Sequence, residues 1–280
     1  MVKAGGAISQ PGGSFPAVFS DTGLEFPELK EFVRGFQNVT IVRPNMSWKE
    51  VLDTYGYPVV SKNVARMVRD LQNPTQNNEN TRRLRLTGMR RDGQRGSRKA
   101  TLPKKYLPLV DAPFRISDQC CDMMKKKPLG QFARQSSRCP ITGEMASDSA
   151  QRELTYLRYG SCNVFNGKNA KSTPMAIWTD QDVLRYLLQT GIPYASVYGE
   201  IVVGPDGVLK TTGEVRTGCI FCMFGLDQEL KYTGTHRFNR LRVTHPQLYA
   251  YCMEKIGLRK IIRYLGIALD DEAQAESKDS

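Results

Sequence analysis

The sequence lacks any apolar run of membrane-spanning length, and its N-terminus lacks the basic and then apolar pattern of a secretory signal peptide. We therefore expect a cytoplasmic protein with no membrane partner. Histidine is also scarce: His236 and His245 are the only two, and we assign neither a catalytic role. In a cytoplasmic protein, the seven cysteines are expected to bind metal or take part in catalysis rather than form disulfides.

Positive charge is in excess. The 280 residues contain 40 Lys and Arg against 28 Asp and Glu, which gives a net charge of +12 and a pI of about 9.4. Such a balance favours anionic partners, which include nucleotides, phosphates, sulfates and nucleic acids. The length is sufficient for one large α/β domain or for a domain with a small appendage.

Much of this charge lies in one segment, residues 72–106, which we interpret as an insertion. Within it, Thr81–Lys105 contains ten Arg or Lys residues and one acidic residue, Asp92. Two interpretations stay open: a solvated, flexible basic insertion, or a surface that contacts anions or nucleic acid. Few aromatic residues are interleaved with the charges, so the pattern does not support base stacking.

The first third of the chain alternates between strand and helix patterns. Short apolar runs predict strands at Ala17–Ser20 and Val39–Val42, Pro27 suits the first turn of a helix, and Ser47 with Glu50 forms a capping box. Another helix is predicted from Ser61 to Leu71. This alternation is typical of an α/β fold with a mainly parallel, twisted sheet flanked by helices.

Further along, Met175–Trp178 is predicted to be a strand, and Thr179 with Asp182 to cap a helix that ends near Gly191. Pro205-Asp-Gly207 favours a hairpin turn. We predict a disordered N-terminus at residues 1–16, an α/β domain at 17–268 that includes the basic insertion 72–106, and a disordered acidic tail at 269–280.

The cysteines form two pairs. Cys219 and Cys222 make a Cys-x-x-Cys motif, and Cys120 and Cys121 are adjacent, with 97 residues between the two pairs. Adjacent side chains tend to point apart, so both are hard to place on one tetrahedral Zn²⁺, whereas a cubane cluster offers separate iron corners. Four cysteines are the usual ligand set of a [4Fe–4S] cluster. Zinc binding and incidental thiols stay open as alternatives.

Five motifs together resemble the phosphoadenosine phosphosulfate reductase family, which has an adenine-nucleotide α-hydrolase-like fold. The resemblance covers roughly residues 17–265 apart from the insertion. The motifs are Asp21-Thr-Gly-Leu-Glu-Phe-Pro27, Cys120-Cys-Asp-Met-Met-Lys-Lys-Lys-Pro-Leu129, Gly143 with Ser149-x-x-Arg152, Trp178-Thr-Asp-Gln-Asp-Val183, and Gly218-Cys-Ile-Phe-Cys222.

The resemblance implies a role for each matching residue. It implies that an adenine nucleotide or sulfonucleotide is bound by Asp21, Thr22, Gly23, Gly143 and Ser149. It implies that Lys125 and Arg152 serve catalysis by placing positive charge beside the substrate sulfate or the cluster. It also implies that the cluster is held by Cys120, Cys121, Cys219 and Cys222, and that the reaction is sulfur transfer or reduction.

The chain departs from the family pattern twice. The Ser-Gly-Gly-Lys-Asp-Ser-type phosphate loop is not reproduced at Gly5-Gly6 or Gly12-Gly13, so we expect the fold to lack the first strand and this loop. The Glu-Cys-Gly-Leu-His tail that carries the reductase nucleophile is missing too.

These departures leave open whether this chain is itself an active enzyme of the oxidoreductase or sulfur-transferase class. An electron-donor protein and homo-oligomerisation stay open as partners. The competing hypothesis is a non-catalytic, metal-stapled basic module that binds nucleic acid through residues 81–105.

Overall fold

The computed structural model describes residues 16–165 and 170–270. The chain divides into two compact units. Unit A comprises the residues up to Asn45 together with Lys125–Cys219, and unit B comprises Met46–Met124 together with the residues from Ile220 onward. Within the described ranges, no helix is both long and apolar enough to cross a membrane.

Helices dominate both units. In chain order the described α-helices are α1 (Pro27–Arg34), α2 (Trp48–Tyr55), α3 (Lys62–Gln72), α4 (Glu79–Thr87), α5 (Lys127–Ser136), α6 (Ala150–Tyr159), α7 (Asp180–Thr190), α8 (Leu226–Thr233), α9 (Arg237–Thr244), α10 (Pro246–Ala250) and α11 (Leu258–Tyr264). Two π-helical turns, Asp122–Lys126 and Tyr251–Lys255, precede α5 and follow α10.

The strands are short and occur in pairs. They are β1 (Ala17–Ser20), β2 (Val39–Val42), β3 (Val59–Val60), β4 (Asn163–Val164), β5 (Lys171–Ser172), β6 (Ile201–Val203), β7 (Leu209–Thr211) and β8 (Met223–Phe224). In unit A, β1 pairs in parallel with β2. In unit B, β3 pairs in parallel with β8. The β4–β5 and β6–β7 pairs are antiparallel. Helices combined with parallel sheet pieces confirm the predicted α/β class.

Local signals explain most of the early elements. Pro27 occupies the first turn of α1, where its missing N–H is not needed. The predicted capping box of α2 is present, because the Ser47 hydroxyl accepts from the Glu50 N–H and the Glu50 carboxylate accepts from the Ser47 N–H. The Ser61 hydroxyl likewise caps α3. These caps satisfy backbone donors that have no partner inside the helix.

The strand predicted at Met175–Trp178 is wrong. The segment forms a turn in which the Ala176 N–H donates to the Thr173 carbonyl at 2.9 Å and the Trp178 N–H donates to the Met175 carbonyl at 3.0 Å. These local bonds use donors that a strand would offer to a neighbour, and of the four apolar residues only Ala176 is buried, whereas Ile177 is 68% exposed. The Thr179 capping box of α7 and the β6–β7 hairpin are confirmed.

The predicted basic insertion contains a helix, α4, which was not predicted from the sequence. None of the α4 residues is buried, so the apolar periodicity that reveals a helix is absent there. Residues 1–15 and 271–280, which include Gly5-Gly6, Gly12-Gly13 and most of the acidic tail, lie outside the described residues.

One glycine of unit B controls the approach to the adjacent cysteines. Gly56 has a φ of +104°, and a Cβ at this position would lie 2.5 Å from the carbonyl carbon of Arg115. The Tyr57 N–H donates to the Arg115 carbonyl at 2.8 Å, and the Ser117 N–H donates to the Tyr57 carbonyl at 3.0 Å. Close contact between the two backbone segments therefore requires glycine at position 56, and it holds the stretch that leads to Cys120.

Candidate functional site

The predicted nucleotide-binding motif forms the turn that follows β1 in unit A. Gly23 has a φ of +78°, which favours glycine, and its N–H donates to Oδ1 of Asp21 at 3.2 Å. The Asp21 carboxylate also pairs with Lys30 at 3.0 Å and with Arg43 at 3.3 Å. Burial alone would raise the pKa of Asp21, but these cations and the Gly23 N–H hold it below its usual value. The Asp21 carboxylate is therefore charged, and its partners are the Gly23 N–H, Lys30 and Arg43.

Glu25 lies on the same turn and is almost entirely buried, with a relative exposure of 5%. Its carboxylate accepts from the Thr22 N–H at 2.9 Å and from the Thr22 hydroxyl at 2.8 Å. The ammonium group of Lys125 lies 3.3 Å from Oε1 of Glu25. Burial of a carboxylate costs free energy unless it is paired and hydrogen-bonded. The bonds from Thr22 and the ion pair with Lys125 offset this cost for Glu25.

Lys125 lies between two acidic groups of unit A. Burial alone would lower the pKa of Lys125, but hydrogen bonds and charge interactions with Cys219 and Glu25 raise it. The ammonium group is therefore charged, and it is directed to the Cys219 sulfur. The structure thus brings together Thr22, Lys125 and Cys219, and it adds Glu25, which the sequence motifs did not single out.

Gly143, Ser149 and Arg152 belong to a second polar group of unit A. The Ser149 hydroxyl accepts from the Arg152 N–H at 3.4 Å and caps α6. The Arg152 guanidinium contacts the carboxylates of Asp148 and Glu144, and Lys171 pairs with Glu144 at 2.6 Å. Arg152 therefore already has carboxylate partners, which an incoming anion would have to replace.

Unit B contains Cys120, Cys121 and Cys222. A helical turn begins at Cys120 and runs into the π-helical turn at Asp122, so the adjacent cysteines occupy the first turn of a helix. Burial raises the pKa of the Cys222 thiol, and the neighbouring Cys121 adds to the rise, whereas Arg237, the Phe224 N–H and Lys62 oppose it. Cys121 and Cys222 therefore interact, and positive side chains lie near them.

Among the residues that the structure describes, no group of three or more His, Cys, Asp or Glu side chains is arranged to hold a metal ion. The donor chemistry in unit B nevertheless fits an anionic iron–sulfur group. Thiolates are the ligands of such clusters, and Arg237 and Lys62 supply positive charge at Cys222. All seven cysteines are free of disulfides.

A recess of about 370 Å³ lies along α7 in unit A. Trp178 and Tyr186 form its aromatic part, with ring centroids 5.4 Å apart in an edge-to-face arrangement. Its other lining residues are Ile177, Asp182, Arg185 and Gln189. None of the predicted site residues lines this recess.

Comparison with known proteins supports the resemblance that the motifs indicate. Residues 102–223 match the phosphoadenosine phosphosulfate reductase domain. We call residues 102–223 the reductase-family segment. A stretch of 127 residues is also 28% identical to adenosine 5'-phosphosulfate reductase of Salinibacter ruber (strain DSM 13855 / M31). That alignment covers 45% of this chain and 43% of the relative, so the chain spans less than half of the relative's length.

The reductase-family segment contains all the predicted site residues except Asp21, Thr22 and Gly23. The recognition made from the motifs is thereby confirmed. The individual roles assigned to these residues stay predictions. Glu25 lies outside the segment, and only its tertiary contact with Lys125 reveals it.

Proposed function

We propose that this protein binds an adenine nucleotide or sulfonucleotide and acts in sulfur transfer or reduction at the sulfonucleotide sulfur. The observation that carries the proposal is the placement of Lys125, whose ammonium group contacts both the Glu25 carboxylate and Cys219. A fixed cation beside a thiol is the arrangement expected where an anionic sulfate must approach sulfur. The family match and the similarity to a relative named adenosine 5'-phosphosulfate reductase support the same substrate class.

In the proposed site, Lys125 binds the sulfate and Arg152 the phosphate end of the nucleotide. Arg152 would exchange its Asp148 and Glu144 partners for the anion, with its planar guanidinium donating two parallel hydrogen bonds. Asp21, Thr22 and Gly23 lie after a strand that pairs in parallel, and open α/β sheets bind ligands at the carboxyl ends of such strands. Gly143 and Ser149 would contribute backbone and hydroxyl contacts.

We further propose that Cys120, Cys121, Cys219 and Cys222 hold a [4Fe–4S] cluster, with Zn²⁺ as the alternative. The interaction between Cys121 and Cys222 and the nearby positive charges support the cluster. When bound, the cluster would add charge and electron-accepting capacity beside the anionic substrate. Lys125 would keep its hydrogen bond to Cys219 and so orient the sulfate with respect to the thiolate.

Several associated properties belong to the same proposal: a cytoplasmic location, an electron-donor protein as partner and self-association. The competing hypothesis, a non-catalytic metal-stapled module, receives less support, because the family match includes Lys125 and Arg152 as well as the cysteines. A basic surface is compatible with a catalytic domain, so its presence does not decide between the two.

Metal analysis tests the cluster. The purified chain is reconstituted anaerobically with iron and sulfide, and its iron, sulfide and zinc contents and its visible absorption are measured. We expect iron and sulfide with a broad visible absorption that Cys219→Ser abolishes. Cys139→Ser is the matched control, because Cys139 is an exposed thiol outside the proposed ligand set. Zinc without iron, or equal loss in both variants, would refute the cluster.

Nucleotide binding tests the site. Adenosine 5'-phosphosulfate and adenosine monophosphate are titrated calorimetrically into the wild-type chain and into Lys125→Ala. Loss of the cation is expected to weaken binding of the sulfated nucleotide by about tenfold or more, which corresponds to about 1.4 kcal/mol. Lys127→Ala removes the same charge from an exposed lysine of the same segment and should leave affinity unchanged. Equal affinities in both variants would contradict the role of Lys125.

A further inference from the structure

A surface of unit B carries eight exposed basic side chains within a short stretch of chain, and we call this set the basic surface. It comprises Arg83, Arg90, Arg91, Arg95, Arg98, Lys99, Lys104 and Lys105. Thr81–Lys105 contains ten basic residues and one acidic residue, so it accounts for most of the net charge of +12. Six of the eight, all except Lys104 and Lys105, lie outside the reductase-family segment. The surface is therefore a feature of this chain that the proposed activity does not explain.

The segment is anchored mainly by groups other than these eight side chains. Leu102 is buried, and its N–H donates to the Arg85 carbonyl at 2.8 Å. The Arg85 side chain pairs with Asp70 at 3.2 Å and donates to the Ala100 carbonyl at 3.0 Å. The Asn63 amide donates to the Lys99 carbonyl at 3.1 Å. The Arg83 guanidinium also donates to the Arg90 carbonyl, and the Lys105 ammonium lies over the Tyr106 ring, so these two contribute charge from fixed positions.

Three of the arginines lie on a tight hairpin. Met89 and Arg95 form an antiparallel bridge, and the Arg90 N–H donates to the Gln94 carbonyl at 2.8 Å. Gly93 completes the turn with a φ of +79°. The backbone of Arg90, Arg91 and Arg95 is thereby held in one geometry, so binding would order only their side chains.

None of the eight basic side chains has a carboxylate within 4.0 Å in the part of the chain that the structure describes. Asp92, the one acidic residue of the stretch, accepts from the Gln94 N–H at 3.0 Å. Eight cations exceed the charge of a single nucleotide or sulfate, so the surface matches a ligand with repeated negative charges. Nucleic acid provides these along its phosphate backbone.

We propose that the basic surface binds nucleic acid through its phosphate backbone, with little dependence on sequence. Aromatic side chains for base stacking are scarce here: Tyr106 is covered by the Lys105 ammonium at 4.6 Å from its ring centroid. Phosphate contacts position a protein on nucleic acid without reading the bases. The inference goes beyond the proposed sulfur chemistry and does not depend on it.

Fluorescence anisotropy with the full chain tests the inference. The probes are labelled duplex DNA, duplex RNA and their single strands, measured over a range of salt concentrations. We expect the logarithm of the affinity to fall linearly with the logarithm of the salt concentration. The triple variant Arg90→Ala/Arg91→Ala/Arg95→Ala should reduce this slope by about 2 to 3, which is the contribution of three phosphate contacts. Changing Arg90, Arg91 and Arg95 to Lys should retain most of the slope.

The matched control is Lys255→Ala/Lys260→Ala/Arg263→Ala, which removes three exposed positive charges elsewhere in unit B. It should keep both affinity and slope within about a factor of three, because long-range charge is screened by salt. Equal loss in the control triple, binding of inorganic polyphosphate in preference to every nucleic acid, or no binding to any probe at low salt would each overturn the inference. Unchanged metal content and nucleotide affinity in the hairpin variant would separate this surface from the site in unit A.

Discussion

Among the residues that the structure describes, eleven of the twelve largest fully buried side chains lie in unit B, and Met145 lies in unit A. Unit A exposes more of the large apolar side chains, among them Phe165, at 84%, and Val215, at 76%, although Val243 of unit B is equally exposed, at 76%. The described interior of unit A contains charged groups in mutual contact, among them Asp21 with Lys30 and Glu25 with Lys125. Unit B therefore contains more of the large buried apolar side chains, whereas ion pairs occur in both units, as Arg85 with Asp70 shows for unit B.

This difference bears on function. Charged pairs such as Arg152 with Glu144 can be exchanged for contacts with an anionic ligand, whereas an apolar core has no such alternative. We therefore expect an anionic ligand to change the stability of unit A more than that of unit B. Four predictions test the comparison, in order of decreasing effect.

The largest effect is expected from truncation of the unit B core. Ile262 has no exposed surface, so Ile262→Ala should lower the free energy of unfolding by about 2–5 kcal/mol, through lost burial and the cavity that remains. Urea unfolding followed by circular dichroism measures it. Leu157→Ala in unit A, where the side chain is 66% exposed, should stay within about 0.5 kcal/mol. Similar losses in the two variants would contradict the contrast between the units.

An intermediate effect is expected at Glu25. Glu25→Ala leaves the Thr22 hydroxyl and N–H without their acceptor and Lys125 without its carboxylate. The expected loss in unfolding free energy is about 1–3 kcal/mol. Glu25→Gln keeps an acceptor for Thr22 and should lose less stability.

The two Glu25 variants also separate stability from function, because both remove the charge that faces Lys125. Nucleotide titration of Glu25→Gln should show an altered affinity although the fold is retained. Glu31→Ala, which truncates an exposed residue of α1, is the control. A Glu25→Ala variant as stable as this control would show that the buried carboxylate contributes nothing.

Loss of a helix N-cap should lower stability equally in the two units, because both contain the same type of capping box. Ser47 caps α2 in unit B and Thr179 caps α7 in unit A, each in a capping box. Ser47→Ala and Thr179→Ala should each cost about 1 kcal/mol. Thermal unfolding measures both, and replacement of either residue by Asp should restore most of the loss. Effects that differ severalfold would mean that the units differ in helix capping as well as in their cores.

The smallest effect is expected from Glu144 in unit A. Burial alone would raise the pKa of Glu144, but Lys171 and Arg152 hold it below its usual value. Since the folded-state pKa is lower than the unfolded one, the ion pairs contribute stability above the usual glutamate range, near pH 4.3. That contribution is lost as the pH falls through the folded-state pKa.

Glu144→Gln should therefore flatten the acid limb of a plot of stability against pH by less than about 1 kcal/mol, because the pair is partly exposed. Unfolding by urea at several pH values provides the plot. Glu153→Gln makes the same charge change at an exposed position and should leave the plot unaltered. A steeper acid limb in Glu144→Gln would reverse the sign of this argument.

Sequence patterns predicted those elements that carry their own start signals. Pro27, the Ser47 capping box and the Thr179 capping box each act within one helical turn, so local sequence is sufficient. The failed strand at Met175–Trp178 and the missed helix α4 share one cause. In both, apolar periodicity was a poor guide, because short-range hydrogen bonds determine the first and no residue of the second is buried.

The candidate site was predictable only in part. The motifs located Lys125 and the cysteines, because their spacing is itself the signal. Glu25 was not singled out, since its importance arises from burial and from a contact with a residue one hundred positions later in the chain. Arg152 was predicted as an anion contact, but its pairing with Glu144 and Asp148 requires tertiary structure to be known.

The absence of a side chain at Gly56 has a wider consequence. Because the backbone of Arg115 passes where a methyl group would otherwise sit, any bulkier residue there would displace the stretch that delivers Cys120 and Cys121. Mutagenesis limited to cysteine and ionisable residues would not include Gly56. Gly56 has no reactive group, yet the backbone position of Cys120 and Cys121 depends on it.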